Sequence, residues 1–423
     1  MLEPQSRSLH IGEAEDAPDI PEKNYVLFET QIRSLSGFLE QAVTSRDLSL
    51  FYQALRASDL PFIMCEPSPD PLRLHRRCCA ILHAFGGISP AAALALENHL
   101  YVASSIATLP SLSGSPMDSR HRELIERIGR ERLLVANTNS KVQADKIGSL
   151  GTRAVREEGG FRVSGSAAYM SLATEGDLLV FVTFLENEGP AFFVTPLRGA
   201  TGIEIGPYLF PNAMVDSDTR QVTFTDALLA PESLLLSGRT SEVAALFHFE
   251  LTWHQSLIPA LFLGAAARAL EVIRGFLRTV RSPDGKPLAE LDGMAVDVGR
   301  LTISYRTAWL LMRRAGEALA EAVHSSLEES RLAHAFDLAN AAKYVGTNCA
   351  EEILATARRL IGARSFTANH PLERLSQEVV FGPLSGEVHA LIERRYGKQV
   401  LGEISFLDLP WHRLDRSVSA QEV

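Results

Sequence analysis

The stretch that most constrains the fold spans residues 152–171 and reads TRAVREEGGFRVSGSAAYMS. Gly159 and Gly160 supply the positive φ angles that a tight hairpin turn requires. After this turn the apolar residues Phe161 and Val163 alternate with polar ones, which is the period of a half-buried strand. The pattern therefore predicts a β-hairpin, although taken alone it would suit any domain that contains one.

The rest of the chain divides into a helical block, a β-rich block and a second helical block. Apolar residues recur at helical spacing over 25–130, short apolar runs separated by turn residues fill 131–240, and long amphipathic or buried helices fill 241–405. We therefore predict three domains with these bounds, flanked by flexible tails at 1–24 and 406–423.

Composition excludes several classes of function. The 423-residue chain carries a net charge of -10, which disfavours a nucleic-acid partner. Its four cysteines have no metal-type spacing, so we expect no metal site and a reduced, cytoplasmic protein. The longest apolar run, 256–270, contains Pro259 and Arg268 and is too short for a membrane span. We expect it to form a buried helix.

The hairpin and the residues after it resemble the middle β-domain of the acyl-CoA dehydrogenase family. The shared frame is T-x-A, then G-G-(aromatic)-x-V-x-G, then an aromatic, an apolar residue and a hydroxyl residue, here Tyr169, Met170 and Ser171. The resemblance implies that these three residues lie against FAD. An aromatic ring offers the isoalloxazine a flat face, and a hydroxyl can hydrogen-bond its ring atoms.

Four further stretches carry the same resemblance. At 135–139 Thr138 matches a turn threonine that approaches the flavin, although Asn139 replaces the usual glutamate. Residues 222–231 match the exit from the β-domain, and 281–287 resemble an R-x-Q-F-G-K-P segment. In the family that arginine, here Arg281, reaches the flavin diphosphate across a subunit boundary.

The last matching stretch is 360–375. Gly362 and Ala363 stand in a loop where small residues let backbone approach the cofactor, and a P-x-E-R pattern follows it. The whole resemblance implies an α+β, acyl-CoA dehydrogenase-like fold. That fold has an N-terminal helical domain, a middle β-barrel or sandwich domain and a C-terminal helical bundle, and it forms a homodimer or homotetramer.

The resemblance leaves the catalytic base open. Most of the family carries a glutamate after the P-x-E-R pattern, and an ungapped alignment places Gly386 there, with Glu387 one residue late. Other members carry the base on the first long C-terminal helix, where counting back from Gly264 reaches His254. Histidine has a pKa suited to a base near neutrality. Both Glu387 and His254 remain candidates, beside structural roles as a helix-terminal glutamate or a core histidine.

The preferred hypothesis is an FAD-dependent oxidoreductase that dehydrogenates an acyl thioester, bound to CoA or to a carrier protein, in specialised metabolism. Its electrons would pass to an electron acceptor. The loss of the usual glutamate favours an alternative, a flavin-dependent monooxygenase or oxidase working with a flavin reductase. A third reading is a non-catalytic member without FAD, which Pro283 and Asp284 in the diphosphate segment favour.

Overall fold

The structure, a computed structural model, describes residues 22–110, 117–138, 150–238, 241–367 and 369–403. The predicted tails and Asn139 lie outside these residues, except that the first helix already begins at Glu22. The helices of the N-terminal block are α1 Glu22–Ser45, α2 Ser49–Ala57, α3 Pro71–Gly86, α4 Pro90–Ala107 and α5 Met117–Glu131. The helices of the C-terminal block are α6 Ser241–Thr279, α7 Asp292–His324, α8 Glu329–Ile361, α9 Pro371–Val379 and α10 His389–Val400.

Between the helical blocks the strands form one eight-stranded sheet. Its order is β6-β7-β3-β2-β4-β5-β8, with β1 pairing parallel to β4. The strands are β1 Val135–Thr138, β2 Thr152–Glu157, β3 Gly160–Met170, β4 Leu178–Leu185, β5 Gly189–Pro196, β6 Ile203–Tyr208, β7 Arg220–Leu229 and β8 Leu234–Ser237. The order of helices, sheet and helices confirms the predicted α+β class.

The predicted hairpin is confirmed as β2 and β3. The two strands pair antiparallel with Glu157 opposite Gly160, and Gly159 takes a φ of +86° in the turn. The register of β3 against β7 shifts between Ala167 and Met170, which marks a β-bulge. Such a bulge bends the strand and redirects its side chains. Tyr169 lies within the bulge and has a φ of +60°.

The core of the C-terminal block is built around α6, which packs against α3, α4, α7 and α8. This helix is apolar and long enough, by length and composition, to cross a membrane, but 78% of its most apolar window is buried inside the fold. The predicted buried helix at 256–270 is therefore confirmed. Pro259 lies inside it, and its ring faces Gly346 of α8.

Two glycines let α3 and α6 cross with their backbones in contact. A Cβ added to Gly264 of α6 would lie 2.0 Å from the carbonyl oxygen of His83. A Cβ added to Gly86 of α3 would lie 2.0 Å from the carbonyl oxygen of Leu261. No side chain fits at either position without moving one helix, so the close crossing depends on glycine.

An arginine of the P-x-E-R pattern joins the three blocks. Arg374 of α9 donates to the carboxylate of Asp216, beyond β6, at 3.0 Å and to the carbonyl of Val43 in α1 at 3.0 Å. Nearby, the buried carboxylate of Glu378 accepts from the backbone N–H of Ala91 and from the hydroxyl of Ser89, at the start of α4. These bonds fix the start of α4 relative to α9, and α4 carries part of the site described next.

Candidate active site

A carboxylate and an imidazole meet between α4 and α6. Glu97 lies in the middle of α4 and is fully buried, and its Oε1 lies 2.9 Å from Nδ1 of His254 on α6. When Glu97 is ionised its carboxylate can only accept this bond, so a neutral His254 donates from Nδ1 and keeps its lone pair on Nε2. Burial raises the pKa of Glu97, while its bond and charge interaction with His254 lower it. The arrangement gives His254 a fixed orientation and an open basic nitrogen.

The open nitrogen of His254 faces the loop that holds Gly386. A Cβ built on Gly386 would lie 3.0 Å from Nε2 of His254 and 2.9 Å from Oε1 of Gln255. Gly386 has a φ of +61°, which glycine adopts without strain. The two alternative base positions predicted from the sequence, Gly386 and His254, are thus neighbours in space. The side chain of His254 lies where a side chain at position 386 would extend.

Glu387, the other predicted base, lies in a different environment. Its carboxylate accepts from Nη1 of Arg395 on α10 at 2.7 Å. Among the described contacts, none joins the Glu387 carboxylate to His254 or Glu97. This geometry favours an ion-pair role for Glu387 beside the loop, and the proposal below rests on His254.

A buried lysine holds the loop in place. Lys343 of α8 donates to the carbonyl oxygens of Pro383 and Glu387 at 3.1 and 3.0 Å, one on each side of Gly386. Burial lowers the pKa of Lys343 to about 7, although the charge of Glu387 opposes this. The lysine therefore fixes the backbone at Pro383 and Glu387, which holds Gly386 next to His254.

Replacing this lysine is expected to destabilise the protein. Lys343→Met leaves two partly buried carbonyl oxygens without this donor, and an acceptor left unsatisfied in the interior costs about 1–3 kcal/mol. Chemical denaturation should show a loss in that range or above. The matched control is Lys398→Met, which removes the partly exposed Lys398–Glu403 pair and should change the unfolding free energy by less than about 1 kcal/mol. Equal losses in the two variants would contradict the role given to Lys343.

A second buried carboxylate lies one helical turn before His254. Glu250 of α6 accepts from Nδ2 of Asn137 in β1 at 2.9 Å. Burial raises the pKa of Glu250 to about 8, and the Asn137 hydrogen bond opposes that rise. The ring of Tyr101 packs on His254 with centroids 4.6 Å apart. Burial and the charges of Glu250 and Glu97 raise the pKa of the Tyr101 hydroxyl. We call Glu97, Tyr101, Glu250, His254 and Gln255 the polar cluster.

The raised pKa of Glu250 predicts a pH-dependent stability. Its folded pKa lies above the unfolded value, so the folded state binds the proton more tightly and the protein loses stability as pH rises from about 4.5 to 8. Glu250→Gln removes this loss. Its unfolding free energy relative to wild type should increase by about 3 kcal/mol between pH 5 and pH 8, measured by denaturation. A difference that stays constant with pH would contradict the assignment.

The residues predicted to lie against the flavin ring are brought together at one end of β1 and β3. The hydroxyl of Thr138 donates to the carbonyl of Ala168 at 2.5 Å, and Oγ of Ser171 lies 2.8 Å from Oγ1 of Thr219. Tyr169 is 49% exposed. Met170, in contrast, packs its side chain into the core of the sheet.

These residues fit the ring of a flavin. A hydroxyl that donates its proton to the protein keeps lone pairs for a further N–H group, so Thr138 and Ser171 can each accept one more bond. Tyr169 offers an exposed flat face at a strained backbone position, and strain of this kind is concentrated at ligand sites.

The residues predicted to hold the phosphate end follow the ends of two helices, Arg281 after α6 and Gly362 and Ala363 after α8. Arg281 is exposed, and its Nη1 donates to the carbonyl of Gly285 at 2.9 Å. Gly362, with a φ of +70°, and Ala363 are exposed at the end of α8. Arg364 of this loop lies over the ring of Phe276 near the end of α6, with 5.8 Å to the ring centroid. Among the described contacts, none joins this end to Tyr169.

Sequence reasoning did not assign roles to Glu97, Glu250, Asn137 or Lys343. The available signal was their position, since each charged member has apolar or small neighbours along its helix and needs a buried partner. The partners lie up to 157 positions away along the chain, as for Glu97 and His254. Spacing along one helix therefore could not identify them.

Comparison with known proteins supports the assignment of the fold. Residues 250–384 match the family model "Acyl-CoA dehydrogenase, C-terminal domain". The chain is 22% identical over 198 residues to an L-prolyl-[peptidyl-carrier protein] dehydrogenase of a Serratia species, covering 45% of this chain and half of that relative's length. It is 21% identical over 275 residues to the benzylmalonyl-CoA dehydrogenase of Aromatoleum aromaticum, covering 65% and 68%.

Solved structures agree over nearly the whole chain. FMN-bound TdsC from Paenibacillus sp. A11-2, described elsewhere as a dibenzothiophene monooxygenase, aligns with a TM-score of 0.77 at 16% identity and covers 90% of this chain and 99% of its own. The structure of PigA with FAD and proline aligns with a TM-score of 0.72 at 15% identity, covering 91% and 98%. The predicted resemblance is confirmed: residues 250–384 match the C-terminal domain of the acyl-CoA dehydrogenases, and the chain shares the fold of these solved flavoproteins.

Proposed function

We propose that this protein is an FAD-dependent oxidoreductase that dehydrogenates an acyl thioester, with His254 as the base. One observation carries the proposal, the contact of Glu97 with Nδ1 of His254 that leaves Nε2 facing Gly386. Gly386 stands where most of the family is expected to carry its glutamate base. A substrate held beside this loop would present its α-carbon to the imidazole.

The chain's own groups would move the α-proton. Nε2 of His254 takes the proton from the α-carbon, and the carboxylate of Glu97 stabilises the imidazolium that forms. Because both groups are packed between α4 and α6, the pair is oriented before substrate binds. The flavin, when bound, would accept the hydride from the β-carbon.

The cofactor would be held at two places. Thr138, Tyr169 and Ser171 would line the ring, with Met170 supporting them from the sheet core. Arg281, with the backbone at Gly362 and Ala363, would hold the phosphate end from a second subunit. The described contacts do not join the ring residues to the phosphate residues within one chain. This suits a flavin bound between two subunits, because the two groups of residues then need not meet in the same protomer.

The exposed surface of α7 supports an oligomer. Val296, Ile303 and Leu310 are 59%, 69% and 63% exposed and follow each other at intervals of seven residues. This spacing puts them on one side of the helix. A homodimer or homotetramer would cover this apolar stripe.

The acyl donor is proposed to be CoA or a carrier protein, because relatives named for each kind of thioester match the chain. The setting we propose is cytoplasmic and belongs to specialised metabolism, with an electron acceptor that reoxidises the flavin.

One observation favours an alternative, a flavin-dependent monooxygenase. The chain aligns along 90% of its length with TdsC, and Gly386 cannot act as a base. A hydroxylase would not need His254 to remove an α-proton. A non-catalytic protein without FAD is the remaining alternative, since the hydroxyl of Ser282 binds Asp284 in the diphosphate segment and leaves a carboxylate there.

An absorption spectrum of the purified protein with added FAD separates these proposals. A dehydrogenase is expected to bind FAD and to lose the oxidised flavin bands when an acyl thioester is added without oxygen. A flavoprotein that ignores thioesters but consumes oxygen when a flavin reductase supplies electrons would be a monooxygenase. A protein that binds no FAD would contradict both enzyme proposals.

A further inference from the structure

We propose that the polar cluster selects an acyl group that carries a protonated amine, and that Glu250 is the residue that pairs with this amine. The inference rests on the proposed function and names its class of substrate. It follows from the charges of the cluster, from polar atoms that the protein leaves without partners, and from the absence of a compensating cation among the described residues.

The cluster contains two buried carboxylates from different helices. Glu97 of α4 is fully buried and Glu250 of α6 is 5% exposed. Both carboxylates are near Tyr101, because the charge of each raises the pKa of its hydroxyl. Burying two carboxylates in one place is unfavourable unless a cation or hydrogen-bond donors compensate them.

Within the protein this compensation is incomplete. His254 is hydrogen-bonded to Glu97, and the neutral amide of Asn137 donates to Glu250. The buried lysine nearest the loop, Lys343, directs its ammonium to backbone carbonyls instead. Among the described residues, no arginine or lysine is hydrogen-bonded to either carboxylate.

A second and independent observation points to a ligand. Gln255 is fully buried, yet neither its amide oxygen nor its amide nitrogen has a hydrogen-bond partner among the described residues. Both atoms lie within about 3 Å of the point where a side chain at Gly386 would begin, as does Nε2 of His254. Oε2 of Glu97 is likewise buried without a partner. Buried polar groups of this kind normally have partners.

An ammonium group would satisfy these atoms better than other acyl substituents. It donates up to three hydrogen bonds and carries the positive charge that the carboxylates lack. A carboxylate on the acyl group would add a third negative charge, and an alkyl group would leave the atoms unpaired. Burial raises the pKa of Glu250 and so disfavours its charged form, and an ammonium group beside it would favour that form.

The test compares two ligands that differ in the amine alone. These are the L-prolyl and cyclopentanecarbonyl amides of aminopantetheine, which have the same ring size and lack the reactive thioester. Binding to the full chain supplemented with FAD is measured by calorimetry, for wild type, Glu250→Gln and Glu271→Gln. Glu271 lies on the same helix, is partly exposed and pairs with Arg268, so it is the matched control.

Wild type and Glu271→Gln are expected to bind the prolyl amide roughly 10- to 100-fold more tightly, which is the range for a hydrogen bond to a charged group. Glu250→Gln should lose this preference. Equal affinities in wild type, a preference that survives in Glu250→Gln, or binding of neither amide would overturn the inference.

The test is independent of turnover. A protein that prefers the prolyl amide but never reduces FAD would keep this inference and contradict the proposed function. A protein that oxidises neutral acyl thioesters and binds both amides equally would support the proposed function and contradict this inference.

Discussion

His254→Asn is expected to slow the reduction of bound FAD by an acyl thioester roughly 10²- to 10⁴-fold, the usual contribution of a positioned general base. Asparagine keeps a polar group of similar size next to Glu97 but cannot take the α-proton at Nε2. Anaerobic stopped-flow measurement of flavin reduction gives the rate directly. The affinity for FAD should not change, because His254 lies on α6 and the proposed ring contacts lie on β1 and β3.

Two further variants separate the roles of the neighbouring carboxylates. Glu97→Gln should cause a smaller loss than His254→Asn, because glutamine can still accept from Nδ1 but carries no charge to stabilise the imidazolium. Glu387→Gln should leave flavin reduction close to wild type, because its carboxylate is paired with Arg395. A large loss in Glu387→Gln, with a normal rate in His254→Asn, would reverse the assignment of the base.

Gly264→Ala is expected to destabilise the fold by about 3 kcal/mol, the upper end of the usual overpacking effect. The added methyl would lie 2.0 Å from a backbone oxygen of α3, and backbone cannot move aside as a flexible side chain can. The helices must separate, and α6 carries both His254 and Glu250. The unfolding free energy from chemical denaturation measures the loss.

The same helix provides the matched control. Gly275 is also in α6, but a Cβ added there meets nothing within 4 Å. Gly275→Ala should therefore stabilise the protein by about 0.5–1 kcal/mol through the lower entropy of the unfolded chain. If Gly264→Ala were as well tolerated as Gly275→Ala, the close crossing of α3 and α6 would be wrong.

Local patterns in the sequence predicted the elements of the fold well. Gly159 and Gly160 identified the β2–β3 hairpin because a tight turn needs a positive φ, which few residues other than glycine adopt. Ser89 and Pro90 at the start of α4 are likewise a local pattern typical of a helix N-terminus, and the Ser89 hydroxyl accepts from the N–H of Ala92. These features depend on neighbours within a few positions, which a sequence displays directly.

The candidate site was harder to predict because its members come from distant parts of the chain. Counting residues in a family pattern reached His254, but nothing local showed that Glu97 would hold its ring. Counting also reached Glu387, whose direction depends on Arg395 and on the turn at Gly386. Thr138 reaches the carbonyl of Ala168, the neighbour of Tyr169, only because β1 and β3 lie side by side in the folded chain.

The central claim, that His254 removes the α-proton of an acyl thioester, is tested most directly by deuterium exchange. A phenylacetyl thioester has acidic α-hydrogens but no hydrogen on its β-carbon, so proton removal can be observed without hydride transfer. In D₂O the FAD-loaded wild type is expected to introduce deuterium at the α-carbon, followed by mass spectrometry, while His254→Asn should not exceed the uncatalysed rate. Exchange as fast in His254→Asn as in wild type, or no exchange in wild type, would contradict the claim.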